Sequence, residues 1–216
     1  MRLATEGFDV ESLSLGPIDS GTSVLLTGED TDALQSVFSQ LVAADDDERS
    51  IVLSTGSGGR AVQRDLNSAR SGAGNRASVL TCEGPAAGDD IQSVDDISDL
   101  TRLGMDFSTL VASAQQHSDR FRSGIMLCST IASEVEDTRS LYRFLNSNFL
   151  TELRRGDGIG VCAVDTSADI GADMSSTISG LQTSFSAHIE VEKTGPGQAT
   201  LTVDGLDGAE TVDVSL

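Results

Sequence analysis

The chain predicts an α/β fold: a mostly parallel sheet with helices on both faces, closed at its C-terminal end by antiparallel strands. Three observations lead there. Short apolar runs at 23–28, 50–54, 77–82, 124–130 and 159–164 do not alternate, so they read as strands buried on both faces. Helical periodicity fills the intervals between them. After residue 186 the period changes from helical to two.

Taken in order, residues 1–22 are a lead-in anchored by Phe8, Val10, Leu13, Leu15 and Ile18 and punctuated by Gly16-Pro17 and Gly21. The first strand is 23–28. The helix after it buries Leu34, Val37, Phe38, Leu41 and Val42 at i, i+3, i+4, i+7, i+8, with Asp30 or Thr31 as N-cap. Asp45-Asp46-Asp47-Glu48 reads as a solvated acidic turn before the second strand, 50–54. Gly56-Ser57-Gly58-Gly59 is a loop that lacks a dinucleotide fingerprint. A helix at 60–70 buries Val62, Leu66 and Ala69, and the third strand is 77–82. Residues 83–96 read as an acidic loop. A short helix with Leu100 and Leu103, stopped by Gly104, precedes a longer one at 108–117. Beyond the fourth strand, 124–130, a helix at 137–155 turns Leu141, Leu145, Phe149 and Leu153 inward and ends at Arg154-Arg155-Gly156. The fifth strand, 159–164, leads to a helix at 173–184. A hairpin (187–192 and 199–203, turning at Thr194-Gly195-Pro196-Gly197) and a strand at 210–215 complete the eight.

The 216 residues carry 34 acidic and 14 basic side chains, a net charge of −20, and Lys193 is the single Lys. Acidic excess with almost no Lys suits multimolar salt, where the Debye length falls to about 3 Å or less, the alternative being an acidic mesophilic protein. It disfavours nucleic acid as a partner, since no basic patch exists to release phosphate counterions. No apolar run approaches the ~18 residues of a membrane span, and Met1 to Gly7 contain no signal-type apolar core. The expectation is one cytoplasmic domain over 1–216, with 186–216 as its terminal antiparallel strands. Cys82, Cys128 and Cys162 are too far apart for a C-x-x-C motif, and each falls in a predicted strand. His117 and His188 are isolated. No metal and no cofactor are expected.

An apolar run ending in Gly28 before a helix is how a phosphate-binding strand–loop–helix begins. The phosphate chemistry is missing: no second Gly, no Lys and no Lys-Ser/Thr pair follow. Gly28 is followed by Glu29, Asp30, Thr31 and Asp32, so three carboxylates sit where a helix N-terminus would hold an anion.

Three segments carry a resemblance. Leu15-Gly16-Pro17-Ile18-Asp19-Ser20-Gly21-Thr22, running into the first strand, looks like the entry to a KaiC-type P-loop. Asp99-Leu100-Thr101-Arg102-Leu103-Gly104-Met105-Asp106-Phe107-Ser108 is similar to a segment of uncharacterised KaiC-like proteins of halophilic archaea. Phe185-Ser186-Ala187-His188-Ile189-Glu190-Val191 looks like the sixth strand of that group. The chain therefore resembles the RecA/KaiC-like ATPase superfamily. The resemblance implies a three-layer sandwich with strand order 3-2-4-5-1-6-7-8, the seventh antiparallel. It also implies sites that this sequence fails to fill. The P-loop falls on Gly28, Glu29, Asp30, Thr31 and Asp32. The Walker B Asp position is Cys128, and neutral Ser129 and Thr130 beside it cannot replace a carboxylate toward Mg²⁺. The catalytic Glu position falls at Thr55 or Gly56.

The resulting expectation is a Walker-less pseudo-ATPase rather than an enzyme. It would act as an interaction or regulatory module whose partner is a KaiC-like ATPase, a signalling protein or a second copy. The alternative is a small-ligand-binding protein using the crevice past the strand C-termini, lined by Gly28, Thr55, Ser129 and Asp165. An enzyme of another type would draw on Asp165, Asp169 and Asp173.

Overall fold

The computed structural model of the chain describes residues 7–208 and 210–216. Most of the Met1 to Gly7 segment read above lies outside the described residues. Nine strands among those described form one sheet: β1 (Ser23–Gly28), β2 (Glu48–Ser54), β3 (Ala77–Thr81), β4 (Ile91–Ser93), β5 (Arg120–Met126), β6 (Asp157–Asp165), β7 (Ala187–Gly195), β8 (Gln198–Asp204) and β9 (Thr211–Ser215). Their order is β4-β3-β2-β5-β6-β1-β7-β8-β9. All neighbours from β4 to β7 pair in parallel, and β8 is antiparallel to both β7 and β9. Without the short edge strand β4, this is the order that the resemblance implies.

The helices are α1 (Thr31–Val42), α2 (Gly59–Ala69), α3 (Leu100–Gln115), α4 (Cys128–Glu134), α5 (Thr138–Phe144), α6 (Leu150–Arg155) and α7 (Met174–Gln182). Successive strand residues face opposite sides, which splits the core in two. Val24 and Leu26 of β1 join Leu34, Val37, Phe38 and Leu41 of α1 on one face. Leu25 joins Phe107 of α3, Phe149 and Leu181 of α7 on the other. The lead-in is anchored as its apolar residues predict: Phe8, Val10, Leu13, Leu15 and Ile18 are all buried, and Phe8 bridges to Ile18. Among the described residues, no helix is long and apolar enough to cross a membrane.

Several expected boundaries move. Strand β4 lies inside the predicted acidic loop, because Ile91 alone is buried among acids and one apolar residue has no period. Gly104 does not stop a helix. It sits within the continuous α3, where a side chain would collide with the amide of Asn148, so it marks close packing of helix on helix. The helix expected over 137–155 is α5 and α6 joined by a π-helical turn, Leu145–Phe149. The expected fourth strand is displaced toward the N-terminus: β5 starts at Arg120 and ends at Met126, so Cys128, Ser129 and Thr130 open α4. Cys82 likewise lies just past β3, and only Cys162 of the three thiols is inside a strand.

The acidic turn is only partly solvated. Glu48 opens β2, is 4% exposed, and bonds Nε of the fully buried Arg122. Arg122 also donates to the carbonyl of Leu41 at 3.1 Å, so a cation meets the C-terminal end of α1. Arg120 lies on the same face, 3.6 Å from Glu48 and 3.5 Å from Asp157, with its guanidinium 4.3 Å over the Phe8 ring. Asp45 pairs with Arg70.

Candidate functional site

The expected phosphate loop falls at the end of β1. β1 ends at Gly28 and α1 begins at Thr31, so only Glu29 and Asp30 connect them. A phosphate-wrapping loop needs several more residues between strand and helix to aim backbone N–H groups inward. Gly28 is buried against β7: a Cβ on it would lie 2.7 Å from the carbonyl oxygen of Val191. Its requirement is close strand packing rather than phosphate approach.

Asp30 is the N-cap, and its Oδ1 accepts from the Ala33 N–H at 2.9 Å. Its Oδ2 accepts from Lys193 Nζ at 2.7 Å. Sequence reasoning placed the single Lys far from this loop. The sheet order brings it back, since β7 lies beside β1 with Gly28 opposite Val191. That adjacency was available from the implied strand order. The Lys193 hydrogen bond, then that from Ala33, holds the Asp30 carboxyl below its usual range, and Asp30 in turn raises Lys193. Both side chains are about a third exposed, at 35% and 38%. Glu29 and Asp32 face solvent. Thr31 Oγ1 donates to Asp165 at 3.0 Å and Thr166 N donates to the Gly28 carbonyl at 2.9 Å, which laces the β1 and β6 ends together.

The other two expected positions lie at the ends of β2 and β5. Thr55 is 5% exposed; its hydroxyl accepts from Leu127 N at 2.8 Å and lies 3.2 Å from the Met126 and Leu127 carbonyl oxygens. It ties the end of β2 to the end of β5, across the cis peptide Met126–Leu127. Gly56 is exposed. Cys128 is 1% exposed at the start of α4, beside Cys162, whose thiol is raised by burial first and by its hydrogen bond with Cys128 second. Burial and the Glu83 charge push Cys82 up to about 11. All three cysteines are free.

The alternative crevice residues are similarly engaged. Ser129 is buried and accepts from Asp165 N at 3.2 Å. Asp165 accepts from the Ser167 N–H and hydroxyl, Asp169 from Gly171 N, and Asp173 caps α7 through Ser176 N. These three carboxylates shape turns and a helix start. His188 is half-buried between Thr27 Oγ1 at 2.8 Å and the Gln182 amide at 3.0 Å. No cluster of three or more His, Cys, Asp or Glu suited to a metal ion occurs among the described residues. Two grooves that sequence reasoning did not see lie elsewhere. One of about 530 Å³ runs between α1 and α2, past Asp32, Gln35 and Asp65. The other, of about 830 Å³, lies between the start of α3 and the α4–α5 link.

Comparison with known proteins places this geometry. The sequence pattern of a family of unknown function, DUF7504, matches residues 21–191, so the chain belongs to that family. No curated protein matches it. Among solved structures, a KaiC-like protein of the hyperthermophilic archaeon Pyrococcus horikoshii is similar over 100% of this chain and 99% of its own, at 12% identity and a TM-score of 0.61. An uncharacterised protein of Pyrococcus horikoshii, in complex with an unknown peptide, is similar over 93% of this chain and 94% of its own, at 11% identity and a TM-score of 0.62. At such identities the likeness carries the fold alone: a KaiC-like, RecA-like domain.

Proposed function

We propose that this DUF7504 member is a pseudo-ATPase: a RecA/KaiC-like domain without nucleotide chemistry, serving as a protein-interaction or regulatory module in a high-salt cytoplasm. One observation carries the reading. The β1–α1 connection is two residues long, capped by its own Asp30, and the only Lys of the chain is bound to that cap. A nucleotide would need a longer loop, a free Lys and a carboxylate for Mg²⁺. The Mg²⁺ position is the buried thiol Cys128, and the catalytic Glu position is the buried hydroxyl Thr55 or the side-chain-free Gly56.

The module reading draws support from a structural neighbour that holds a peptide. A KaiC-like ATPase, a signalling protein or a second copy are the partners in view. The small-ligand alternative draws less support, because Gly28, Thr55 and Ser129 are buried and the two hydroxyls are bonded inward. The test of the non-enzyme reading is phosphate release from ATP or GTP with Mg²⁺ at the salt where the chain is folded. We expect no release above the blank. Turnover that disappears in the Asp30→Ala or Lys193→Ala variant would refute the reading.

A further inference from the structure

We propose that the groove between the start of α3 and the α4–α5 link docks a short cationic segment of a partner protein, which seats one large apolar side chain against Met105. The proposal rests on the interaction reading above and gives it a surface and a partner chemistry. The groove is open to solvent and has a volume of about 830 Å³. Its apolar lining is Leu100, Val135, Phe144 and Met105. Met105 is 63% exposed, the only large hydrophobic side chain exposed among the described residues. A large apolar side chain beside a polar rim is the arrangement of a docking surface, whereas a scattered surface residue would lack the groove.

Charge selects the occupant. Asp99, Glu134, Glu136 and Asp137 line the groove against a single cation, Arg143. Asp99 and Asp137 cap helices by accepting from Arg102 N and Arg139 N. Glu134 and Glu136 have no ion pair among the described residues, and neither has Arg143. An anionic partner, whether nucleic acid, an acidic lipid surface or a second chain of net charge −20, meets repulsion here. A cationic segment meets attraction at the rim, and its apolar side chain finds Met105 in the groove.

Fluorescence anisotropy tests this with a labelled peptide of Lys, Ala and Leu whose Leu residues share one helical face. A scrambled peptide of the same composition is the control. The salt is the lowest at which circular dichroism shows the chain folded. The patterned peptide should bind, with the scrambled one weaker by about tenfold, as expected for losing one apolar contact. Met105→Ser and the pair Glu134→Lys/Glu136→Lys should each weaken binding by about tenfold, while Asp89→Lys/Asp90→Lys, equally exposed acids elsewhere, should leave it unchanged. These positions are exposed, so circular dichroism should show every variant folded. No binding, equal binding of both peptides, or an equal effect of the Asp89/Asp90 reversal would overturn the proposal, the last two by exposing simple attraction to net charge. ATP binding at β1–α1 would sink the pseudo-ATPase reading and leave this outcome untouched.

Discussion

Glu48 and Arg122 show most plainly what single residues contribute here. Both are buried and they bond one another, with Arg122 also held by the Leu41 carbonyl. Removing one partner leaves a charge in the core without compensation, which costs about 3–5 kcal/mol. Glu48→Ala should therefore lower unfolding stability in urea by that amount, and a loss below about 1 kcal/mol would contradict the account. His188 gives a pH dependence. With the Gln182 amide donating to Nδ1, the neutral ring donates from Nε2 to Thr27. Burial lowers its pKa below 6.5, against the raising effect of Glu190 and Asp204. The unfolded chain therefore binds the proton first as pH falls. This contribution is complete above the ordinary imidazole value of 6.5 and is lost as pH falls from there toward the depressed folded value. Parallel melts of the wild type and His188→Gln should diverge in slope over that window. Identical slopes would contradict the assignment.

At the scale of elements, β1, β7 and α1 form the unit on which the site depends. Gly28→Ala would push a Cβ to within 2.7 Å of the Val191 carbonyl oxygen and should destabilise the chain by about 1–3 kcal/mol in urea unfolding. An unchanged midpoint would mean that β1 and β7 are less closely packed than described. The five parallel core strands and the terminal antiparallel set were legible, because a buried strand writes a continuous apolar run and a half-buried one alternates. Strand β4 was not, since it holds one buried apolar residue. Gly104 misled because glycine in a helix serves packing as well as termination, and only the facing Asn148 tells which. Cys128 misled because the apolar run of β5 continues into α4 without a polar break. At the candidate site, the N-cap was legible, since Asp30 stands just before the apolar period of α1. The pairing of Lys193 with Asp30 was legible only through the implied strand order, which sets β7 beside β1, because the two lie 163 residues apart in sequence.

For the whole molecule, the net charge of −20 dominates. Self-repulsion of that size destabilises the compact state and is screened by salt. Melting followed by circular dichroism should move to higher temperature from low to multimolar KCl, and a salt-independent midpoint would argue against adaptation to high salt. The same charge bears on the central claim, that the nucleotide seat is closed. A triphosphate brings about four negative charges, met elsewhere by a Lys, Mg²⁺ and a helix dipole. Here Lys193 is already bound to Asp30, and the dipole is worth about 0.3–1 kcal/mol. One like charge at about 4 Å costs ~4 kcal/mol at an effective dielectric near 20, and Glu29, Asp30 and Asp32 all flank the site. Isothermal titration calorimetry of ATP with Mg²⁺, at the salt where the chain is folded, is the direct measurement. The account predicts no heat of binding, and a micromolar dissociation constant would contradict it.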